Sequence, residues 1–209
     1  SSGYRRTLAF TAGKLMGISY QEIESNSVGY KEDYEMYSMD FEEFLWANGI
    51  ETPVIELLKT CLQNEKTVPE ALHKRMKQLL LQYTVVGGMP DVVQTFVSTK
   101  QMDEVLQIQR DIVRSYEDDM IKYAEKKDKS RIKECFQSIP KQLSKENKKF
   151  QYSIVKKGST ASKYAGSLQW IEDAGIIVRC YNLSITELPL DGNAEVNTFK
   201  VYMRDCGLF

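Results

Sequence analysis

At 209 residues, 24.1 kDa and a formal net charge of -1, the chain is long enough for one or two domains with a substantial core. Its four cysteines, at positions 61, 135, 180 and 206, are too scattered for a paired metal-ligand motif, and the sequence contains neither a signal peptide nor a membrane-length apolar run. These features argue against a disulfide-stabilised secreted domain and a membrane protein, and they favour a cytoplasmic location.

Two short strands and a capped helix are predicted near the start of the chain. The apolar run Thr7–Ala12 and the alternating stretch Tyr30–Met39 both have strand patterns. Asp40 predicts a helix start, because its carboxylate can accept amide hydrogens of the first turn while Glu43 stands at the reciprocal capping-box position. Gly49 is expected to end this helix.

Residues 51–127 have the pattern of a helical bundle. Two helices are predicted to begin with a proline at the first helical position, one after a Thr52 cap and one at Pro69. In "YTVVGGMPDVVQTFV", Gly87 can take the left-handed conformation that closes the second helix and Pro90 begins the next, so Gly87, Gly88 and Pro90 are predicted to form a hinge. A long helix is predicted over Met102–Lys126. The residues expected on the buried helix faces are Val54, Leu57, Leu58, Cys61, Leu72, Met76, Leu79, Leu80, Tyr83, Val93, Phe96 and Val97.

The last third of the chain indicates a winged helix-turn-helix. One helix is predicted before Pro140, which is expected to interrupt it, and another spans Thr160–Ala174 and ends at Gly175. Strands at 176–183 and 199–205 would form the wing, and the helix Thr160–Ala174 would be the recognition helix. The predicted inward-facing residues are Ile132, Cys135, Phe136, Ile139, Tyr164, Ala165, Leu168 and Ile171. The predicted fold is therefore mainly α with a small β component, a helical bundle followed by a winged helix-turn-helix.

No catalytic, metal-binding or nucleotide-binding motif is complete in this sequence. A P-loop needs a glycine, four further residues, Gly-Lys and Ser or Thr; Gly13-Lys14 lacks the first glycine and the hydroxyl, while Gly87-Gly88 lacks the lysine. His73 is the single histidine and lies in a helical pattern beside Lys74, as a surface residue would. The acids of "DDMIKYAEKK" belong to the charged end of a helix. We therefore expect no catalytic residue, metal or cofactor in this chain.

Several blocks of the sequence, in order, resemble prokaryotic predicted AAA-type ATPases whose C-terminal half is a domain of unknown function. The blocks are "VGYKEDYEMYSMDFEEFLWANG", "YTVVGGMPDVVQTF", "IQRDIVRSYEDDMIKYA", "SIPKQLSKENKKFQYS", "SLQWIEDAGIIVRCYN" and "FKVYMRDCGLF". The resemblance implies a chain that is the middle of such a protein, with the P-loop before it and a nuclease-like domain after it. ATP and magnesium are then expected only for the parent protein. It also implies a division into the end of an ATPase-like core at 1–50, a helical lid or linker bundle at 51–127 and a winged-helix domain at 128–209.

Two functions remain possible, and the distribution of charge along the chain is the feature relevant to both. Residues 20–56 carry ten acids and one base, whereas residues 126–163 carry twelve bases and three acids, a balance of 12 - 3 = +9. In the first function, this basic segment binds DNA through Lys156, Lys157, Lys163 and Gln169. In the second, the module is a scaffold for self-association or for a partner protein, because Gln169 is the only predicted helix residue suited to reading a base edge. Asp205 is expected to pair with a base or to cap backbone amides.

Overall fold

The computed structural model describes residues 36–208. The predicted strand Thr7–Ala12 and most of Tyr30–Met39 lie outside this range, while Met36–Met39 are extended without strand pairing. Within it the chain is mainly helical, with one small two-stranded antiparallel sheet, as the hydrophobic patterns predict.

The first two helices, α1 (Phe41–Ala47) and α2 (Thr52–Gln63), begin as predicted, to within a residue. Asp40 and Glu43 form the complete capping box: Glu43 N donates to Asp40 Oδ1 at 2.8 Å and Asp40 N donates to Glu43 Oε2 at 2.9 Å. In α2, Glu51 is the N-cap and makes no side-chain cap bond, so the proline at its start is the main local signal for the helix.

Three longer helices follow, α3 (Glu70–Val86), α4 (Pro90–Thr99) and α5 (Met102–Tyr123). Gly87 caps α3 with φ 77° and ψ -166°, a conformation that a residue with a Cβ rarely adopts. Its positive φ is therefore confirmed, although ψ is extended rather than helical. Helix α5 ends at Tyr123 instead of Lys126, because Ala124, the C-cap, is buried in an extended conformation (ψ 151°) and the residues after it are charged.

The C-terminal part contains α6 (Lys129–Leu143), the short α7 (Tyr152–Val155), α8 (Ala161–Asp173), β1 (Ile177–Leu183) and β2 (Ala194–Met203). Strand β1 pairs antiparallel with β2, and Ile177 lies opposite Met203. An isolated antiparallel bridge between Lys149 and Lys200 adds the segment before α7 to the outer side of β2. Helix α8 packs on α6 and β1, so the ribbon and the two helices share one core.

Two hydrophobic clusters form the interior of the described residues. The first is built by α1 to α4 and the start of α5, with Phe44, Leu79 and Val93 among its members. The second is built by the end of α5, α6, α8 and the ribbon, with Met120, Leu168 and Ile177 among its members. Helix α5 supplies residues to both clusters, so the predicted boundary at 127/128 falls after a helix that already joins them.

Some predicted details are wrong. Helix α6 continues through Pro140 to Leu143, because the neighbouring turns bury Ile139 and Gln142 and so hold the helix together despite the missing amide hydrogen. Leu57 and Leu80 are exposed, and so is Ala165, whereas Ile55, Val86 and Ser167 take the buried positions of those helices. In each of these helices, the predicted buried face is rotated about the helix axis relative to the observed one. Such a rotation exchanges neighbouring residues between buried and exposed positions, since adjacent helical residues lie about 100° apart.

Candidate nucleic-acid interface

Gln169, the predicted base-reading residue, is held by neighbouring side chains. Its Nε2 donates to Asp173 Oδ1 at 2.7 Å, and its Oε1 accepts a hydrogen bond from the Arg179 guanidinium. Arg179 is fixed in turn by Glu172, which accepts from the Arg179 backbone amide at 2.9 Å and from Nε at 2.6 Å. The amide of Gln169 thus has both of its polar ends engaged on the side of α8 that faces β1.

Lys156 is also engaged within the protein. Its Nζ lies 2.8 Å from Glu134 Oε1, and Tyr164 donates to Glu134 Oε2 at 2.6 Å. These hydrogen bonds from Lys156 and Tyr164 lower the pKa of Glu134, and the bond to Glu134, with burial, raises the pKa of Tyr164 to about 12. Glu134 therefore joins α6, the turn after α7 and α8, and it neutralises one of the four predicted contact residues.

Lys157 and Lys163 are exposed and make no ion pair with any described residue. Lys157 lies in the turn between α7 and α8, where Gly158 has a φ of 82°, and Lys163 lies in the first turn of α8. Of the four residues predicted from the sequence, these two alone keep their charged or polar groups available to a ligand.

A second group of lysines, not singled out by the sequence, meets where the segment before α7 bridges to β2. Lys149 and Lys200 are directly opposite each other in this bridge, and residues so placed have Cβ atoms about 5 Å apart. Lys145 and Lys148 lie in the exposed bend that leads to Lys149. We call these four residues the lysine patch; none of them makes an ion pair with a described residue.

Two phenylalanines fix the geometry of the lysine patch. Phe150 N donates to Phe199 O at 2.9 Å, and the two rings stack with centroids 5.9 Å apart in the second cluster. Because neighbouring residues on an extended segment point to opposite sides, the buried Phe150 and Phe199 direct Lys149 and Lys200 outward together. The sequence signal for this arrangement is the pair Lys149-Phe150 and its reverse, Phe199-Lys200. The signal can be interpreted only when the two pairs are known to lie opposite each other in the fold.

Two other surfaces of the C-terminal part are acidic or mixed in charge. A groove of about 450 Å³ beside α8 is lined by Lys163, Trp170 and Asp173 on the helix and by Glu125 and Asp128 after α5. The loop that joins β1 to β2 contains Glu187 and Asp191, and Glu195 follows near the start of β2. Residues 184–196, here called the ribbon tip, contain no base. This ribbon tip also exposes the apolar residues Ile185, Leu188, Leu190 and Val196. The tip of the predicted wing therefore carries the wrong charge for phosphate contact, in contrast to Lys200 farther along β2.

The Gly87-Gly88 segment is occupied by a carboxylate of the chain itself. Asp205, 3% exposed, accepts a hydrogen bond from Gly88 N at 2.9 Å and another from Gly207 N at 2.8 Å. The expectation that Asp205 caps backbone amides is confirmed. Gly87 and Gly88 are buried between α3 and α4, and the hinge role of Gly87, Gly88 and Pro90 stays a prediction.

Within residues 36–208, no set of three or more histidine, cysteine, aspartate or glutamate side chains is grouped to hold a metal ion. No helix in the same range combines the length and the apolar character that a membrane crossing requires.

One family model matches the chain, over residues 77–209, and its description is a domain of unknown function, DUF8612. This range covers more than half of the 209 residues, and the chain belongs to that family. Comparisons with curated proteins and with solved structures give no match.

Proposed function

We propose that this member of the DUF8612 family is a non-catalytic part of an AAA-type ATPase, and that its C-terminal part is a winged-helix module that contacts the phosphates of duplex DNA without reading bases. The order of elements supports the fold: α6, the bridged segment, α7, α8 and then the two ribbon strands. The five-residue connection between α7 and α8 contains Gly158, and a short glycine-containing turn is typical of a helix-turn-helix.

The single observation that carries the DNA proposal is the opposition of Lys149 and Lys200. Like charges directly across a strand pair destabilise it, and an anion between them removes the repulsion. Of the twelve bases in residues 126–163, four pair with acids, which leaves 12 - 4 = 8 with no ion pair to a described residue. Lysines neutralise phosphates as point charges, so the contact would be weak and independent of sequence.

The hydrogen bonds that Gln169 already makes within the protein support the proposal that the module contacts DNA without reading bases. A residue that reads a base edge must offer its amide to the major groove, and Gln169 already bonds Asp173 and Arg179. We therefore assign phosphate contact to the lysine patch, with Lys157 and Lys163 as further contacts. The non-catalytic assignment is supported by Gly88, whose amide, the group that a phosphate would need, is bonded to Asp205.

The test is a titration of a fluorescent DNA duplex at several salt concentrations. With about four to six phosphates neutralised by these six lysines, log K should fall against log salt with a slope of roughly -4 to -5, because each contact contributes about -0.9. The variant with Lys149→Ala and Lys200→Ala should flatten the slope by about 1.8, and Lys157→Ala with Lys163→Ala should do the same. Lys156→Ala is the matched control and should leave the slope unchanged, since Glu134 already pairs with Lys156. Absence of binding at low salt, or an unchanged slope in the Lys149/Lys200 variant, would refute the proposal.

A second candidate function is subunit docking through the ribbon tip, and the exposure of Leu188, 86%, is the observation that favours it. The occupant we assign is a second copy of the chain, because the three acids of the tip complement the lysine patch. Sedimentation analysis decides it. Association that weakens with salt and disappears in Leu188→Ser supports docking, whereas a monomer at every concentration excludes this occupant.

A further inference from the structure

The segment Asp205–Leu208 connects the two hydrophobic clusters at one buried point. It follows β2, whose residues pack in the second cluster, and Leu208 belongs to that cluster as well. Asp205 nevertheless bonds the amide of Gly88, which lies between α3 and α4 of the first cluster. A buried carboxylate is costly unless its oxygens are hydrogen-bonded, and here each oxygen accepts a backbone N–H.

Three glycines allow the backbone segments to come this close. A Cβ at Gly87 would overlap Asp205 Oδ1 and lie 2.7 Å from Gly207 N. A Cβ at Gly207 would overlap the carbonyl oxygen of Val86, and one at Gly88 would overlap that of Met39. No larger residue fits at these positions without moving the backbone, so the contact is built into the sequence on both sides.

Side chains of α3 and α5 form further hydrogen bonds around the contact between Asp205 and Gly88. Gln109, 7% exposed, donates to Val85 O at 2.7 Å and to Val86 O at 3.0 Å, which satisfies carbonyls at the end of α3. Cys206 Sγ lies 3.4 Å from Tyr83 O, and Tyr83 in turn donates its hydroxyl to Met39 O at 2.8 Å. Burial and the nearby charges of Cys206 and Asp205 raise the pKa of Tyr83 to about 12.

We infer that Asp205, with Gly87, Gly88 and Gly207, is a clasp that joins the two clusters into one cooperative unit and holds the ribbon rigidly against α3 and α4. Without it, the clusters share α5 and contacts through Met89 and Ile112. The clasp thereby makes the ribbon and the helical part move together, whatever ligand either one binds.

Hydrogen exchange measured by mass spectrometry on the 209-residue chain tests the clasp. The slowest amides of α4 and of α8 report the opening of the first and second cluster, and in the wild type their opening equilibria should agree within about threefold. In Asp205→Ala, α4 should exchange about 10- to 100-fold faster relative to α8, because the loss of hydrogen bonds to a charged group changes an equilibrium by one to two powers of ten. Asp191→Ala, at an exposed acid of the ribbon tip, is the matched control and should change neither helix.

Two outcomes would overturn the inference. One is a wild type whose two helices already exchange independently, and the other is an Asp205→Ala variant whose helices accelerate together or not at all. If Asp205→Ala does not fold, Asp205→Asn serves instead, because it keeps the volume while its amide nitrogen can no longer accept one of the two N–H groups. The same divergence between α4 and α8 is then expected.

Discussion

The substitution Gly87→Ala should destabilise the α3–α4 junction in two ways, through backbone strain and through the loss of a hydrogen bond. With φ 77° and ψ -166°, Gly87 occupies a region essentially restricted to glycine, and an alanine there costs about 1 to 3 kcal/mol. The new Cβ would also displace Asp205 Oδ1, and the loss of a hydrogen bond to this charged group costs about 1.5 to 3 kcal/mol more. The expected sum is roughly 2.5 to 6 kcal/mol.

Gly158→Ala is the matched control for Gly87→Ala. Gly158 also has a positive φ, 82°, but a Cβ there would meet no atom within 4 Å. Its substitution should therefore cost only the backbone strain, about 1 kcal/mol. For a protein of this size, 1 kcal/mol corresponds to a change in Tm of about 2 to 4 °C.

Thermal unfolding followed by circular dichroism at 222 nm provides the measurement. We expect Tm to fall by roughly 5 to 24 °C in Gly87→Ala and by about 3 °C in Gly158→Ala. Equal decreases in the two variants would mean that the contact between Gly87 and Asp205 contributes nothing beyond local strain, and the reasoning on the junction would be refuted.

Two further predictions concern titratable groups of the second cluster. Bonds from Lys156 and Tyr164 lower the pKa of Glu134 in the folded protein, so its stabilising contribution is present above its ordinary pKa of 4.5 and is lost as pH falls through the lowered value. Glu134→Gln should accordingly flatten the decline of Tm between about pH 5 and pH 3, and an undiminished decline would contradict this. Burial raises the pKa of Cys135 to about 12, so at pH 8 iodoacetamide should label the exposed Cys180 first and reach Cys135 only after unfolding; mass spectrometry of the labelled peptides checks the order.

Local sequence signals were enough for most helix boundaries in the described residues. The Asp40 capping box, the prolines that open α2 and α4, and the positive φ at Gly87 and Gly175 all follow from the chemistry of one or two residues. The apolar spacing in α6 likewise gave its buried face correctly, because a wide hydrophobic stripe tolerates a small angular error.

The candidate interface was less predictable because its geometry depends on contacts between distant positions. The charge of the basic segment was readable from composition, but the pairing of Lys156 with Glu134 joins residues 22 positions apart. The engagement of Gln169 depends on Arg179, which reaches it only because β1 turns back along α8. Lys149 and Lys200 are 51 positions apart and become neighbours only when the segment before α7 joins β2. Charge patterning therefore identifies the segment, while the fold decides which lysines remain available.

The position of the lysine patch relative to the clasp connects the two proposals. Lys200 and Asp205 are separated by five positions at the end of β2, and Asp205 is bonded directly to the amide that precedes α4. A polyanion held by Lys149 and Lys200 would therefore act on a strand whose end is fixed to the helical part, with no flexible segment between them. If the proposed DNA contact holds, such a connection would let the orientation of the helical part follow the position of the bound nucleic acid. The buried carboxylate would make that coupling stiff, because it holds the junction through a directional hydrogen bond from Gly88 N, while a second bond from Gly207 N fixes the carboxylate itself.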